Sequence, residues 1–477
     1  MLRLIQNTTF KNLLTMKKNK INIKKSNRLY KKVIEIIPGG SQTFSKSVTQ
    51  FVNGFAPKFL DRGKGAYVWD LDGNKFLDYI MACHPMILGY SDKDVNNAVI
   101  KQLEKGSTFS QMNELEYIVS KKIIKTVPSA EMVRFGKNGA DATSIGVRIA
   151  RSITGRDHIA YCGYHGWHDW FIANTDLNSG IPEFNKKLAH SFTYNDIDSL
   201  EKLFIKHKDK IAIVIMEPLT VLQPKCYGPT NCKNKKCKIF CRNNFLTEVK
   251  RMCRRYGALL MFDEIITGYR FAIGGAQEMV NVTPDLTSIA KAVSNGIPLS
   301  AIVGKKEFMS CLDKTFFSFT YGGDCIGLAA ASASIDKIVK NNVPNHLIKI
   351  GSILKKNLNK IIDDYGLNEF VSCVGYPQRT VVSLNGNNIF DNLTMKSWFQ
   401  QELLKFGILW TAYHAISFSH KDREINYTLE SFDQVLSKFK KIVNSKTNLE
   451  SQLLGKKIEP VFRKVADFNS YIQKDKI

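Results

Sequence analysis

The sequence has no apolar run of about 18 residues, so it predicts no membrane-spanning helix. It also lacks a zinc-finger spacing, an RNA-recognition signature and a basic zipper, the motifs that would indicate nucleic-acid binding. Its 68 lysines and arginines outnumber its 43 aspartates and glutamates, giving a net charge of +25, but they are spread along the whole chain. We therefore expect a basic surface that favours small anionic substrates, with no nucleic-acid and no membrane partner.

No secretory signal is recognisable at the start of the chain, which carries ten cysteines among its 477 residues. This combination favours a reducing, cytoplasmic compartment. The first 34 residues contain no Asp or Glu and many lysines, and we interpret residues 1–27 as a flexible basic tail. A cleaved organelle transit peptide is the alternative, although Arg and Ser are few there.

Short apolar runs alternate with helical patterns between about residues 95 and 310. The runs are Met132–Phe135, His158–Cys162, Ile211–Met216, Ala258–Phe262 and Leu299–Val303. Continuous apolar runs between helices are typical of parallel strands buried on both faces, so the chain is predicted to have an α/β fold. Earlier in the chain, residues 28–38 indicate a short helix and residues 66–79 a β-hairpin.

Five segments are expected from these patterns. They are a tail (1–27), the N-terminal part of a small domain (28–90), a large domain (91–326), the C-terminal part of the small domain (327–440) and a charged helical extension (441–477).

Residues 132–142 combine a strand, a glycine-containing loop and the start of a helix. Ala142, Ile145, Ile149 and Ile153 recur at helical spacing and are predicted to face the sheet. Because the N–H groups at a helix N-terminus attract anions, this loop is a candidate phosphate site. An ordinary strand–helix turn is the alternative.

The segment 162–170 crowds two histidines and three aromatic residues beside two glycines. It follows a predicted strand, and we interpret it as an aromatic face on which a planar ligand can stack. Metal binding by His165 and His168 is the alternative. Their spacing suits a helix, which the glycines disfavour.

Asp263 stands at the C-terminal end of an apolar run, where open parallel sheets bind their ligands. A helix-capping aspartate is the alternative. Lys291 follows among small and apolar neighbours, which would desolvate it and make its neutral amine available for a Schiff base. A phosphate loop, an aromatic face, a carboxylate and a desolvated lysine are the parts that pyridoxal 5′-phosphate (PLP) needs.

These residues resemble the class III PLP-dependent aminotransferases, most closely the group around glutamate-1-semialdehyde 2,1-aminomutase. The resemblance runs from about residue 28 to about residue 436 and is strongest in 262–270 and 285–296. It implies PLP fold type I, with a large domain around a mostly parallel mixed sheet and a smaller α+β domain built from both chain ends. It also implies a homodimer with shared active sites.

The resemblance implies a role for each matching residue. Lys291 would form the Schiff base and move protons, and Asp263 would pair with the pyridine nitrogen. The other implied positions are Tyr164 and Ile265 on the two ring faces, His165 in the same cofactor loop, Gly139 and Ala140 at the phosphate, Thr320 at the phosphate of the neighbouring subunit, and Glu217 near the substrate.

Three departures from the aminomutase pattern lie on the substrate side, while the cofactor side is kept. Lys46 stands where the aminomutase typically carries an arginine that faces the substrate carboxylate, and a lysine cannot form the bidentate fork. The run 82–85 (Ala-Cys-His-Pro) lacks a substrate-side tryptophan, and 294–296 reads Ser-Asn-Gly instead of three glycines.

We therefore predict a transaminase that moves an amino group from an amino acid donor to an aldehyde or ketone acceptor different from that of the aminomutase. The aminomutase activity itself is the first alternative. A non-catalytic basic binding protein is the second.

A Lys-rich insertion at residues 225–242 carries Cys226, Cys232, Cys237 and Cys241. We expect a loop of thiols without a metal. Structural zinc is the alternative, but the gaps of five, four and three residues differ from the usual two-residue knuckle.

Overall fold

A computed structural model describes residues 21–228 and 243–460. The predicted tail up to residue 20, three cysteines of the insertion (Cys232, Cys237 and Cys241) and residues 461–477 lie outside this range. The strands are β1 (Leu60–Lys64), β2 (Tyr67–Asp70), β3 (Lys75–Asp78), β4 (Met132–Gly136), β5 (His158–Cys162), β6 (Ala189–Ser191), β7 (Ile211–Met216), β8 (Leu259–Asp263), β9 (Leu286–Ile289), β10 (Ser300–Gly304), β11 (Val371–Tyr376), β12 (Arg379–Leu384), β13 (Ile408–Leu409) and β14 (Tyr413–Ala415).

The described α-helices alternate with these strands in the large domain and gather towards the C-terminus. They are α1 (Lys24–Ile36), α2 (Lys93–Leu103), α3 (Glu114–Thr126), α4 (Gly139–Thr154), α5 (Asp169–Ile172), α6 (Glu183–Lys186), α7 (Ile197–Lys206), α8 (Phe245–Tyr256), α9 (Gly275–Val280), α10 (Lys306–Met309), α11 (Cys325–Lys340), α12 (Val343–Asp364), α13 (Asn392–Lys405) and α14 (Asp422–Ser445). Among the described residues, none of these helices is both long and apolar enough to cross a bilayer.

A seven-stranded sheet forms the centre of the large domain, in the order β4-β10-β9-β8-β7-β5-β6. Strand β10 is antiparallel to both of its neighbours, and the other pairs are parallel. Every residue of β7, β8 and β9 is buried, because helices cover both faces. The predicted α/β class with a mostly parallel mixed sheet is confirmed, and each of the five predicted runs is a strand with ends within one residue.

Helix α4 packs on this sheet through the first three positions of its predicted apolar face. Ala142, Ile145 and Ile149 are fully buried. The prediction is wrong for Ile153, which is exposed one turn further on, at the end of the helix.

Both ends of the chain build the smaller part of the fold. Strand β13, from the C-terminal region, pairs with β3 of the predicted hairpin, and this extends the sheet to the order β1-β2-β3-β13. Strands β11, β12 and β14 form a separate antiparallel sheet. The backbone N–H of Ala415 donates to the carbonyl of Tyr79 at 2.9 Å, so the two chain ends are also joined by a direct hydrogen bond.

The two ends of the described chain differ from the expectations. Helix α1 begins at Lys24 and not at residue 28, because both carboxylate oxygens of Asp72 accept backbone N–H bonds from Lys25 and Ser26, at 2.7 and 2.9 Å. Helix α14 ends at Ser445, and residues 446–460 contain only a short 3₁₀ turn, so the predicted helical extension is wrong there. The N–H of Lys456 instead donates to the carbonyl of Asn53 at 2.8 Å.

Candidate active site

Three ionisable residues follow three adjacent parallel strands. Glu217 comes directly after β7, Asp263 ends β8, and Lys291 begins a 3₁₀ turn two residues after β9. Asp263 stands in register with Ser288 of β9. The carboxyl ends of these strands therefore bring two carboxylates and one amine to the same edge of the sheet.

The Asp263 carboxylate is buried and held by three donors. Its Oδ2 lies 2.8 Å from Nδ1 of His165, and its Oδ1 accepts from the N–H of Ile265 at 3.1 Å and from Oγ of Ser288 at 3.2 Å. Only 3 % of the Asp263 side chain is exposed. A buried carboxylate with this number of donors has a fixed orientation.

The Lys291 amine is partly withdrawn from water. Burial lowers the pKa of Lys291 below its ordinary value, while the negative charges of Asp263 and Glu217 oppose that shift. The backbone of Lys291 has a left-handed φ of 49°, which is costly for a residue with a Cβ. The lowered pKa makes the unprotonated amine of Lys291 available. The carboxylates of Asp263 and Glu217 favour its protonated form.

The N-terminus of α4 lies against the segment that follows Asp263. Gly139 and Ala140 supply the first two N–H groups of the helix, which have no acceptor within it. A Cβ at Gly139 would lie 2.6 Å from Cδ1 of Ile265, and a Cβ at Gly166 would lie 2.7 Å from that of Ala140. Gly139 therefore leaves room for the Ile265 side chain, and Gly166 allows the loop to approach Ala140 closely.

The loop after β5 contacts both the helix and the carboxylates. The backbone N–H of Tyr164 donates to Oε1 of Glu217 at 2.9 Å, and Oγ1 of Thr143 donates to the carbonyl of His165 at 2.7 Å. His168, by contrast, bonds to Oγ of Ser144 at 2.6 Å. His165 and His168 thus have different partners, and this pairing gives no support to the alternative of a metal held between them.

Two of the predicted site residues are exposed. Thr320 is exposed in the segment between α10 and α11. Lys46 is exposed as well, at the end of a short 3₁₀ turn. Burial raises the pKa of the Cys83 thiol, and the positive charges of Lys46 and Lys291 oppose this shift, so Cys83 lies within electrostatic range of both lysines.

A left-handed turn that sequence reasoning did not foresee lies where the resemblance places the substrate. Met81, Ala82, Cys83 and His84 have φ values of 47°, 54°, 70° and 87° in succession. Such a backbone costs roughly 1–2 kcal/mol per residue that carries a Cβ. It persists only where surrounding contacts impose it, and such strain is typical of functional sites.

Two buried side chains hold this turn and the residues that follow it. Arg270 is fully buried, and its Nη2 donates to the carbonyl of His84 at 2.8 Å while its Nη1 donates to that of Ile416 at 2.7 Å. Asn295 accepts the N–H of Leu88 at 2.9 Å and donates to the carbonyl of Gly89 at 3.1 Å. The segment after Lys291 therefore holds the residues that follow His84.

Arg379, which the sequence patterns also did not indicate, reaches the same turn from strand β12. Its Nε donates to Nε2 of His84 at 3.0 Å. The His84 ring is buried and stacks on Tyr413 with a centroid distance of 4.8 Å and an interplanar angle of 16°. Burial, followed by the charges of Arg379, Arg270 and Lys291, holds the pKa of His84 well below its usual range.

The described residues fit PLP on three independent features. Gly139 and Ala140 begin a helix with N–H groups that have no acceptor within it, Asp263 offers a fixed carboxylate, and Lys291 offers an amine of lowered pKa. In addition, Nε2 of His165 is buried with no hydrogen-bond partner among the described residues.

Comparison with known proteins agrees with this fit. The sequence model of the family "Aminotransferase class-III" matches residues 52–436. A 3-aminobutyryl-CoA aminotransferase of Cloacimonas acidaminovorans is 32% identical over 428 residues, which cover 89% of this chain and 99% of that protein. A glutamate-1-semialdehyde 2,1-aminomutase of Hyperthermus butylicus is 34% identical over 367 residues, 73% of this chain and 81% of that protein.

The fold is similar to that of solved PLP enzymes. The PLP form of the FumI protein of Sphingopyxis sp. MTA144 has a TM-score of 0.78 and 25% identity, with 89% of this chain and 99% of that chain covered. These likenesses support an enzyme over the non-catalytic alternative. The chain belongs to the class III aminotransferases, enzymes that use PLP to transfer an amino group.

Proposed function

We propose that Lys291, Asp263 and the residues around them transfer an amino group from an amino acid donor to an aldehyde or ketone acceptor. The observation that carries this proposal is the meeting of Glu217, Asp263 and Lys291 at the ends of three adjacent strands.

The residues divide into those that bind the cofactor and those that move a proton. PLP, when bound, supplies an electron-accepting ring joined to the substrate nitrogen. Asp263 holds a proton on the ring nitrogen, and His165 keeps the Asp263 carboxylate in place. The Nζ of Lys291 takes the proton from the donor α-carbon and returns it to the next carbon, which its lowered pKa favours.

Five further residues complete the proposed site. The N–H groups of Gly139 and Ala140 bind the phosphate. Tyr164 and Ile265 would hold the ring between them. Glu217 holds the Tyr164 backbone and faces the substrate.

A homodimer with shared active sites and a cytoplasmic location are also part of this proposal. Several large apolar side chains are exposed in the described monomer, as a subunit interface requires: Met112 (88% exposed), Phe316 (76%), Trp167 (66%) and Tyr321 (60%). Thr320 is adjacent to Tyr321 and is itself exposed, so it is free to reach the phosphate of a partner.

A half-reaction screen tests the proposal. The purified holoenzyme is mixed with L-glutamate, L-alanine, 3-aminobutyrate or β-phenylalanine, and the decay of the visible absorbance of the bound cofactor is followed. At least one donor should discharge it. Lys291→Ala should show neither the absorbance nor turnover, whereas Lys360→Ala, at an exposed position of α12, should behave as the unmodified protein. Full activity of Lys291→Ala rejects the proposal.

Intramolecular amino transfer is the second candidate, because several of the similar proteins are named glutamate-1-semialdehyde 2,1-aminomutase. Glutamate-1-semialdehyde distinguishes the two. Efficient formation of 5-aminolevulinate without an added amino donor favours the aminomutase. A requirement for a separate donor favours the transaminase.

A further inference from the structure

Arg379 carries a charge that no acidic side chain neutralises. Within residues 21–228 and 243–460 its side chain forms no ion pair, and its single hydrogen bond uses Nε. Its two terminal nitrogens therefore keep their N–H donors for another partner. Unlike Arg379, other cations of the fold have acidic partners, for example Lys337 with Asp92 and Asp94.

The unpaired charge lies on the substrate side of the site. Arg379 acts electrostatically on Lys291, His84 and Tyr413. Lys46 adds a second positive charge near Cys83. Although Asp263 and Glu217 add negative charge around Lys291, an anionic group of a substrate held there would therefore find a positive charge at Arg379.

His84 determines which part of the guanidinium is available. Because Nε2 of His84 accepts the Nε–H of Arg379 at 3.0 Å, this ring nitrogen carries no proton. The ring is buried and stacked on Tyr413, and the left-handed turn fixes its backbone. His84 thus binds the inner edge of the guanidinium and leaves the outer edge, with its two terminal nitrogens, unoccupied.

We propose that Arg379 binds a carboxylate group of the substrate through its two terminal nitrogens, and that His84 orients it. A planar fork with two parallel N–H donors matches a carboxylate in a way that the point charge of Lys46 cannot. His84 is a positioning residue, since it acts through Arg379. The inference rests on the proposed function and adds to it a substrate class, donors or acceptors with a carboxylate close to the reacting carbon.

Matched pairs of probes test the role of Arg379 in the holoenzyme. One member of each pair carries the carboxylate and the other lacks it: 3-aminobutyrate with 2-aminopropane, and L-alanine with ethylamine. Arg379→Gln should raise the concentration needed for half-maximal cofactor discharge about 10- to 100-fold for the acids, as expected for the loss of a charged hydrogen-bonded pair. The amines should be affected less than twofold. Equal effects on both members of a pair overturn the inference.

A control variant separates the local effect from the loss of one positive charge. Arg254→Gln removes an exposed arginine of α8 and should leave the response to all four probes unchanged. If it weakens the acids as much as Arg379→Gln does, the preference comes from the basic surface as a whole, and the inference is wrong.

The role of His84 is tested by rescue. His84→Leu removes the acceptor and should weaken the acids selectively, by less than Arg379→Gln because the charge remains. His84→Gln retains an acceptor oxygen and should recover part of that loss. Equal weakening of acids and amines by His84→Leu, or no recovery in His84→Gln, would show that His84 only supports the fold.

A ligand that binds but cannot react shows whether the inference about Arg379 fails or the proposed function fails. The probe 3-methylbutanoate has the carboxylate of 3-aminobutyrate but no amine, so it tests binding without reaction. It should raise the melting temperature of the holoenzyme but not that of the Arg379→Gln variant. Absence of any discharge by amino acids rejects the proposed function. An equal shift in both proteins, or none in either, rejects the carboxylate site.

Discussion

The bond between His165 and Asp263 allows a quantitative prediction. Nδ1 of His165 and Oδ2 of Asp263 lie 2.8 Å apart, and both side chains are almost fully buried. His165→Leu would remove one of the three donors that hold the carboxylate. A hydrogen bond to a charged group contributes about 1.5–3 kcal/mol, and this is the most that PLP binding can lose, so the dissociation constant for PLP should rise by up to about 150-fold.

Equilibrium titration of the apoprotein with PLP, followed by visible absorbance, measures this change. His165→Gln keeps a side-chain donor and should lose less. His168→Gln is a matched control on the same loop, because His168 bonds to Ser144 and not to Asp263, and its PLP affinity should stay within twofold. The melting temperature of each apoprotein shows whether the variants fold.

The reasoning fails if His165→Leu folds normally and binds PLP as tightly as the unmodified chain. Asp263 would then keep its position through Ile265 and Ser288 alone. A loss of affinity in His168→Gln as large as in His165→Leu would contradict it too, since the effect would then belong to the loop and not to the carboxylate.

Three further predictions test separate parts of the structure. Gly139→Ala should weaken PLP binding at least tenfold in the same titration, because its Cβ would lie 2.6 Å from Ile265; an unchanged affinity would show that Ile265 can move aside. Mixed dimers of one Lys291→Ala subunit and one Thr320→Glu subunit should regain activity that neither variant has alone. If the sites are shared, one site of each mixed dimer contains both native residues. No recovery would place Thr320 in the site of its own subunit. Burial lowers the pKa of both His414 and His420 to about 3, so below pH 6.5 the unfolded chain binds protons that the folded chain does not. The free energy of unfolding should therefore fall by about 2 kcal/mol per histidine between pH 7 and pH 5; urea unfolding checks this, and His420→Gln should show a shallower decline.

The cofactor side could be predicted from the sequence because each of its parts is local. Asp263 directly follows four buried apolar residues, and Lys291 stands two residues beyond a buried strand. Once those strands are parallel neighbours, their ends must meet at one edge of the sheet, and no information from distant segments is needed.

The beginning of α1 could not be predicted for the opposite reason. Its N-cap residue, Ile23, has no capping side chain, and only the N–H of Lys24 has a local acceptor, Oδ1 of Asn22 at 3.2 Å. The acceptor for Lys25 and Ser26 is Asp72, 46 residues beyond Ser26. A local search for helix-start signals misses such a cap. Ile153 shows a related limit, because helical periodicity continues where the sheet beneath it has ended.

The arrangement around His84 could not be predicted either, because its contacts come from segments that are distant in the sequence. Two departures from the aminomutase pattern, residues 82–85 and residues 294–296, are far apart in the sequence. In the structure, Asn295 forms hydrogen bonds with the backbone of Leu88 and Gly89, shortly after His84. A Cβ on Gly296 would also lie 2.5 Å from the sulfur of Met86. Arg379 then reaches His84 across 295 residues of sequence. The second departure therefore packs against the residues that directly follow the first, and a change in one is expected to disturb the other. Restoring only one of them to the aminomutase residues should disturb the turn without recreating an aminomutase pocket, because the remaining half still holds the His84 segment in its present place.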